Sequence, residues 1–171
     1  MKDKLNLAIK DDFFTKKEYE TIVGNLDKIT FEPKKNNQAL FSYTHDFEKN
    51  ADNQWVFDKI KNVFFKDINL EVFSSRFNMR HSNQKVLPHT DDADATYNCL
   101  IYLKGEELMY NGTGFYYNNN LHTYVGFVQN RALFFNGGNV FHTNLQALGP
   151  SSNRFTLNIF YEEKKWQKIK Q

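Results

Sequence analysis

The sequence predicts a mainly β fold, a sandwich or barrel, braced by helices from its N-terminal third. From about residue 70 onward the chain breaks into short extended segments, 70 to 80, 95 to 103, 113 to 118, 121 to 128, 131 to 136 and 154 to 161, punctuated by Gly, Asn and Pro. Two of these segments alternate with period two, each carrying a polar and an apolar face. Before residue 69 the apolar residues recur at helical spacing instead.

The elements follow in order. Thr15-Lys16-Lys17-Glu18 has capping-box spacing, and Tyr19, Ile22, Val23 and Leu26 then fall on one helical face, so a first helix starts there. Asp52 is expected to cap a second helix whose stripe is Trp55, Val56, Lys59, Ile60, Val63 and Phe64. Between the helices, Ala39 to Thr44 is expected as a strand near a sheet edge. Asn118-Asn119-Asn120 is expected as a hairpin turn, because Asn tolerates left-handed backbone angles. Asn136-Gly137-Gly138-Asn139 is a second turn, delivering the chain toward His142.

The parity of two strands is informative. In 96 to 103, Thr96, Asn98, Leu100 and Tyr102 oppose Tyr97, Cys99, Ile101 and Leu103; in 154 to 161, Arg154, Thr156 and Asn158 oppose Phe155, Leu157, Ile159 and Tyr161. An antiparallel sheet wet on one side gives this pattern, and so does a small barrel with a polar lumen and helices over its outer face. The candidate site residues favour the lumen.

Length and composition bound the rest. A chain of 171 residues with seventeen Phe suits one domain, 1–171, with helical and strand support over about 1–69 and the β core over about 70–161. The formal charge is +2 and the basic residues are scattered, so nothing electrostatic calls for nucleic acid. The Lys-rich stretch 164–170 is expected as a solvated terminus. Cys99 stands alone in an apolar run, which excludes an intrachain disulfide and suits a reducing cytoplasm. No apolar signal region or bilayer-length segment is seen, so export and membrane anchoring are not expected. There is also no Gly-rich phosphate loop or nucleophile elbow.

The chemistry-bearing residues are His89-Thr90-Asp91, His142 and Arg154-Phe155-Thr156. An imidazole and a carboxylate two residues apart project from one side of an extended segment, and a third ligand from a distant strand can close one face of an octahedral metal. The opposite face stays open for a cosubstrate and dioxygen. A guanidinium beyond the third ligand offers a rigid, permanently charged fork for a dicarboxylate. Asp92 and Asp94 lack the two-residue spacing, and His45, His81 and His122 lack a second ligand nearby in sequence, so surface or packing roles are expected for these.

In order, Leu87-Pro88-His89-Thr90-Asp91, Ile101-Tyr102-Leu103, Gly112-Thr113-Gly114, Arg131-Ala132-Leu133-Phe134-Phe135, Phe141-His142 and Arg154-Phe155-Thr156 resemble the 2-oxoglutarate- and Fe(II)-dependent dioxygenases, within them the prolyl 4-hydroxylase-like branch. The resemblance covers roughly residues 70 to 161. It implies a double-stranded β-helix (jelly-roll, cupin-like) with flanking N-terminal helices, and an enzyme that hydroxylates a C–H bond while 2-oxoglutarate and O2 yield succinate and CO2. It makes His89, Asp91 and His142 the Fe(II) ligands and places Arg154 on the distal carboxylate of 2-oxoglutarate. Tyr102 and Thr156 become hydroxyl donors to that cosubstrate, with Asn98 and Leu100 lining its pocket.

Two departures stand out. Arg154 lies twelve residues after His142, so the loop 148–153 must absorb extra length, and Phe77 stands where relatives often place a Tyr on the strand before the iron motif. An oxidative nucleobase demethylase on the same fold would usually carry a second Arg six residues after the first, where this chain has Phe160. A non-catalytic metal- or ligand-binding jelly roll is the reading from another class. The substrate implied by the resemblance is a prolyl or other peptidyl residue, an amino acid or another small molecule. It would enter past the segment from Arg76 to Val86 and the loop from Asp92 to Ala95, with Arg76 and Arg80 as candidate contacts.

Overall fold

The computed structural model describes residues 4–36, 39–48, 50–81, 87–91, 95–108, 111–144 and 153–163, with backbone alone for 34–36, 39–42 and 81. Helix α1 (Lys16–Leu26) begins as the sequence predicts: the Thr15 hydroxyl accepts from the Glu18 N–H at 3.4 Å, and Glu18 Oε2 accepts from the Thr15 N–H at 2.7 Å. Helix α2 (Gln54–Phe64) corrects two expectations. Its N-cap is Asn53 rather than Asp52, and the cap makes no side-chain hydrogen bond; the Asn50 carboxamide oxygen instead accepts from the N–H groups of both Asp52 and Asn53 at 3.1 Å. Its buried stripe is Val56, Phe57 and Ile60, whereas Val63 stays exposed.

Ten strands are present among the described residues: β1 (Leu7–Lys10), β2 (Glu32–Asn36), β3 (Ala39–Asp46), β4 (Leu70–His81), β5 (Tyr97–Lys104), β6 (Thr113–Tyr117), β7 (Asn120–Val125), β8 (Ala132–Phe135), β9 (Phe141–Asn144) and β10 (Asn153–Glu163). The major sheet runs β1-β8-β5-β10-β4-β3-β2 and the minor sheet β7-β6-β9, with every pairing antiparallel. A lone bridge between His89 and His142 adds the segment before β5 to the free side of β9. The result is the expected mainly β double-stranded β-helix, with β3 next to the edge strand β2. The β6–β7 hairpin turns through Asn118 and Asn119, at φ 48° and 65°, where Asn is better tolerated than most residues.

Strand parity sorts the core into two layers. Cys99, Ile101 and Leu103 of β5, Leu157, Ile159 and Tyr161 of β10 and Phe134 of β8 face the helices, together with Ile22, Leu26, Val56, Phe57 and Ile60. On the inner face, Leu100 and Tyr102 join Leu133, Phe135, Phe115, Val125, Phe127 and Val140 between the two sheets. The polar faces therefore line a lumen and the helices cover the apolar outside, the second of the two alternatives that parity left open. The inner apolar cluster fills the half beneath β5 and β8, while β10 and β4 present Thr156, Asn158, Asn78 and arginines, which leaves the other half open.

Candidate functional site

The open half of the lumen is a cavity of about 420 Å³, within the range of small-ligand sites. His89 and His142 enter it from adjoining extended segments held by a reciprocal pair of backbone hydrogen bonds, His89 N–H to His142 O at 3.1 Å and His142 N–H to His89 O at 2.8 Å. Each Nδ1 lies 3.0 Å from a backbone carbonyl, of Leu87 and of Val140 respectively. A carbonyl only accepts, so Nδ1 carries the proton and the Nε2 lone pair remains for a metal. Asp91 completes the cluster. Its N–H donates to Gly137 O at 3.0 Å, Asn98 Nδ2 donates to its Oδ2 at 3.1 Å, and its Oδ1 stands 3.5 Å from His142 Nε2.

The ligand atoms of His89, Asp91 and His142 all lie within 4.8 Å of one another. Two imidazoles and one carboxylate are the donor set of non-haem iron sites that keep positions open. The protonation states suit a cation. Burial, then the neighbouring His142, holds the His89 pKa below the ordinary imidazole value. Burial alone would raise the Asp91 carboxyl, but the imidazole of His142 beside it and the Asn98 donor outweigh burial and hold the group below its ordinary value.

Arg154 opens the central strand β10 and is only 7% exposed. Its guanidinium lies 5.0 Å from the Tyr102 ring centroid and 5.9 Å from that of Phe127, and it donates to Gly112 O at 3.1 Å and Thr113 Oγ1 at 3.4 Å. Its Nε has no hydrogen-bond partner, and among the described residues no carboxylate pairs with it. Burying a cation without a counter-charge is expensive, so a cavity built around one fits an anionic ligand. Thr156, Asn98 and Leu100 line the same cavity. The Thr156 hydroxyl donates to Asn158 Oδ1 at 2.8 Å. Tyr102 lies behind this wall, its hydroxyl donating to Thr113 Oγ1 at 2.8 Å, so it reaches the cavity through Thr113.

Arg76 and Arg80 also line the cavity. Arg80 donates to Asn144 Oδ1 at 2.6 Å and is the direct cross-strand partner of Arg154; burial, then the charges of Arg154 and Arg76, pushes its pKa down to about 9. Phe77 lies on the opposite face of β4, in the layer beneath the helices and edge-on to Phe47. A Tyr there would point away from the cavity, whereas the next residue, Asn78, faces inward together with Ser74, Arg76 and Arg80. Thr113, between Gly112 and Gly114, and Gly137, in the turn from Asn136 to Asn139, border the site in ways that the sequence does not reveal, and Asn144 carries no sequence signal.

The remaining candidates lie elsewhere. His45 Nδ1 is 2.9 Å from Thr30 O and His122 Nδ1 is 2.9 Å from Thr123 Oγ1, both away from the cavity. Cys99 is fully buried, which raises its thiol pKa and makes it a poor nucleophile. Asp92, Asp94, residues 82–86, the loop 148–152, the 164–170 tail and the side chain of His81 lie outside the described residues.

No protein-family model matches the chain, and no curated protein matches its sequence. Solved structures do match. An oxidoreductase of the 2OG-Fe(II) oxygenase family from Burkholderia pseudomallei aligns with TM-score 0.69 at 10% identity, over 92% of this chain and 85% of that one. A Pseudomonas putida prolyl-4-hydroxylase aligns with TM-score 0.65 at 15% identity, over 93% of both chains. HygX from Streptomyces hygroscopicus, solved with nickel and 2-oxoglutarate bound, aligns with TM-score 0.68 at 10% identity, over 92% and 83%. The chain has the fold of the 2-oxoglutarate- and Fe(II)-dependent oxygenases, prolyl hydroxylases among them, over most of the length of these structures.

Proposed function

We propose that this protein is a 2-oxoglutarate- and Fe(II)-dependent oxygenase that hydroxylates a C–H bond of a prolyl or other peptidyl residue, or of an amino acid, with release of succinate and CO2. The observation that carries the reading is one cavity shared by a two-His, one-carboxylate cluster and a buried arginine that lacks a counter-anion. His89, Asp91 and His142 would hold the metal, and Arg154 the distal carboxylate of the cosubstrate. Thr156, and Tyr102 acting through Thr113, would supply hydroxyls, with Asn98 and Leu100 on the walls.

When bound, iron and 2-oxoglutarate supply the oxidising chemistry: the cosubstrate is oxidatively decarboxylated and one oxygen atom of O2 goes to the substrate. The chain's residues bind, orient and exclude water. Asn98 fixes one carboxylate oxygen of Asp91, and the Leu87 and Val140 carbonyls fix the two imidazole tautomers. Leu100 and Phe135 give the cavity an apolar wall, which lowers the local dielectric around Arg154 and strengthens its hold on a carboxylate.

A peptide or amino-acid substrate fits the lack of a basic stripe, since phosphate-backbone binding needs clustered surface cations. It also agrees with a similar structure, a Trichoplax adhaerens prolyl hydroxylase solved with a peptide fragment of hypoxia inducible factor. No described helix is long and apolar enough to cross a membrane, and a lone buried thiol suits the cytoplasm in which we place the protein.

The test is a turnover assay of the full chain with Fe(II), 2-oxoglutarate and a prolyl peptide or free amino acids, recording succinate and product mass. Succinate release and a gain of about 16 mass units, one oxygen atom, are expected, with both lost in His142→Ala. A wild-type chain that binds neither Fe(II) nor 2-oxoglutarate would sink the proposal.

A further inference from the structure

Strand β4 turns Ser74, Arg76, Asn78 and Arg80 into the cavity, and the facing strand β10 turns in Phe160, Asn158, Thr156 and Arg154. Register places Arg80 directly opposite Arg154 and Arg76 directly opposite Asn158. Like charges facing each other across a strand pair are destabilising, so a cationic row along this wall costs the empty fold stability. Among the described residues the cavity has three cationic side chains, Arg76, Arg80 and Arg154, against one acidic side chain, Asp91. Bound Fe(II) and 2-oxoglutarate would add opposite charges of equal size. Among the described lining residues the formal positive excess is thus the same whether or not they are bound.

Arg76 is the group left over. Its guanidinium carbon lies 4.5 Å from the Phe160 ring centroid, within cation–π range. It makes no hydrogen bond or ion pair among the described residues. Asp46, its register partner on β3, is exposed and makes no ion-pair contact with it, so its charge, like that of Asp91, acts on Arg76 only from farther off. Arg76 is half-buried, and the Asn78–Thr156 pair separates it along the wall from Arg80 and Arg154, a placement that suits a second ligand and not the one Arg154 holds.

We infer that Arg76, stacked on Phe160, is the anchor for an oxyanion group, a carboxylate or a phosphate, on the substrate itself. The inference rests on the oxygenase reading for what else occupies the cavity, and it narrows the substrate from any peptide or amino acid to one bearing an acidic group near the reacting carbon. A planar fork on an aromatic shelf suits bidentate capture of such a group. Asn158, facing Arg76 across the strand pair, adds a carboxamide for a neighbouring polar atom.

The experiment is equilibrium titration, without turnover, of the full chain loaded with Ni(II) and saturating 2-oxoglutarate. The probes are N-acetylglycine, its neutral amide and inorganic phosphate. The expected result is saturable, salt-sensitive binding of at least one of the two anions and none of the amide; which anion binds distinguishes a carboxylate from a phosphate substrate. Arg76→Gln should weaken that binding at least fivefold, and Arg76→Lys should restore part of it. The affinity for 2-oxoglutarate should stay within twofold in both variants, which also reports that they fold. Absence of anion binding by the wild type, equal binding by Arg76→Gln, or equal binding of the amide overturns the inference. Titrating Ni(II) and 2-oxoglutarate by themselves separates the two readings: if neither binds, the oxygenase assignment fails on its own, and the Arg76-dependent anion binding is then read without them.

Discussion

Gly137 and Asp91 occupy space that a side chain would claim: a Cβ on Gly137 would stand 2.1 Å from Asp91 Oδ2 and 3.2 Å from Asn98 Cβ. The same glycine accepts the Asp91 N–H through its carbonyl at 3.0 Å. The turn after β8 therefore sets both the backbone and the carboxylate of the central metal-ligand candidate. Gly137→Ala is expected to push that carboxylate off its place and weaken Fe(II) or Ni(II) binding by roughly tenfold or more, with far-UV circular dichroism unchanged. Wild-type affinity in the variant would show that Asp91 is not a ligand.

Asn98 separates function from stability. Its Nδ2 donates to Asp91 Oδ2 at 3.1 Å, while its Oδ1 is buried without a partner. Asn98→Leu removes the donor and the unsatisfied acceptor together. Metal affinity should fall by about 10- to 100-fold, as when an outer-sphere orienting group is lost. Thermal stability of the metal-free protein should hold or rise, because a buried unpaired carboxamide oxygen disfavours folding. A melting temperature that drops along with the affinity would make Asn98 a structural residue instead.

Arg154 and Thr113 form the next pair. Loss of a charge-assisted contact in a water-poor pocket costs about 2 to 5 kcal/mol, so Arg154→Gln should raise the 2-oxoglutarate Kd more than about tenfold. Thr113→Val removes the hydroxyl that Tyr102 and Arg154 share, and its effect should be smaller, about 1 kcal/mol. Metal binding should change little in either variant. Isothermal titration of 2-oxoglutarate into the metal-loaded proteins measures both, and an unchanged Kd in Arg154→Gln would move the anchor to another residue.

What the sequence disclosed follows the range of the forces involved. The Thr15–Glu18 capping box, the Asn118–Asn119 turn and the alternation along β5 and β10 are local, and each is written within a few residues. Strand β1 is not legible in the sequence, because its residues, Leu7 partly buried and the other three exposed, carry no period of their own and are defined by pairing with β8. Phe77 shows how sharp the parity rule is: one step along β4 moves a side chain from the cavity to the helix layer, and Asn78 takes the inward place. The ligand candidates were visible as residue types at a spacing. The parts that orient them, Gly137 beneath Asp91 and Thr113 between Tyr102 and Arg154, come from segments well apart in the chain and become visible only when the sheets face each other.

The last prediction concerns acid stability and lies outside the cavity. Glu18 accepts the Thr15 N–H at 2.7 Å and pairs with Lys59 Nζ at 2.5 Å, so one carboxylate ties the start of α1 to the middle of α2. Burial pushes its pKa up, but Lys59 and the Thr15 hydrogen bonds outweigh this and hold it below the ordinary 4.5. The folded chain therefore releases this proton more readily than the unfolded chain. The stabilisation is complete above about pH 4.5 and fades as pH falls through the lower folded value. A half-exposed pair combined with a cap contributes about 1 kcal/mol. Glu18→Ala should lose about that amount at pH 7 in urea unfolding, and its deficit relative to wild type should shrink as the pH is taken to about 3, toward the smaller part that a neutral cap acceptor supplies. Glu18→Gln, which keeps an acceptor for the cap but not the charge, should fall between the two at pH 7. A deficit that stays constant across this range would mean that the contact contributes through packing and not through its charge.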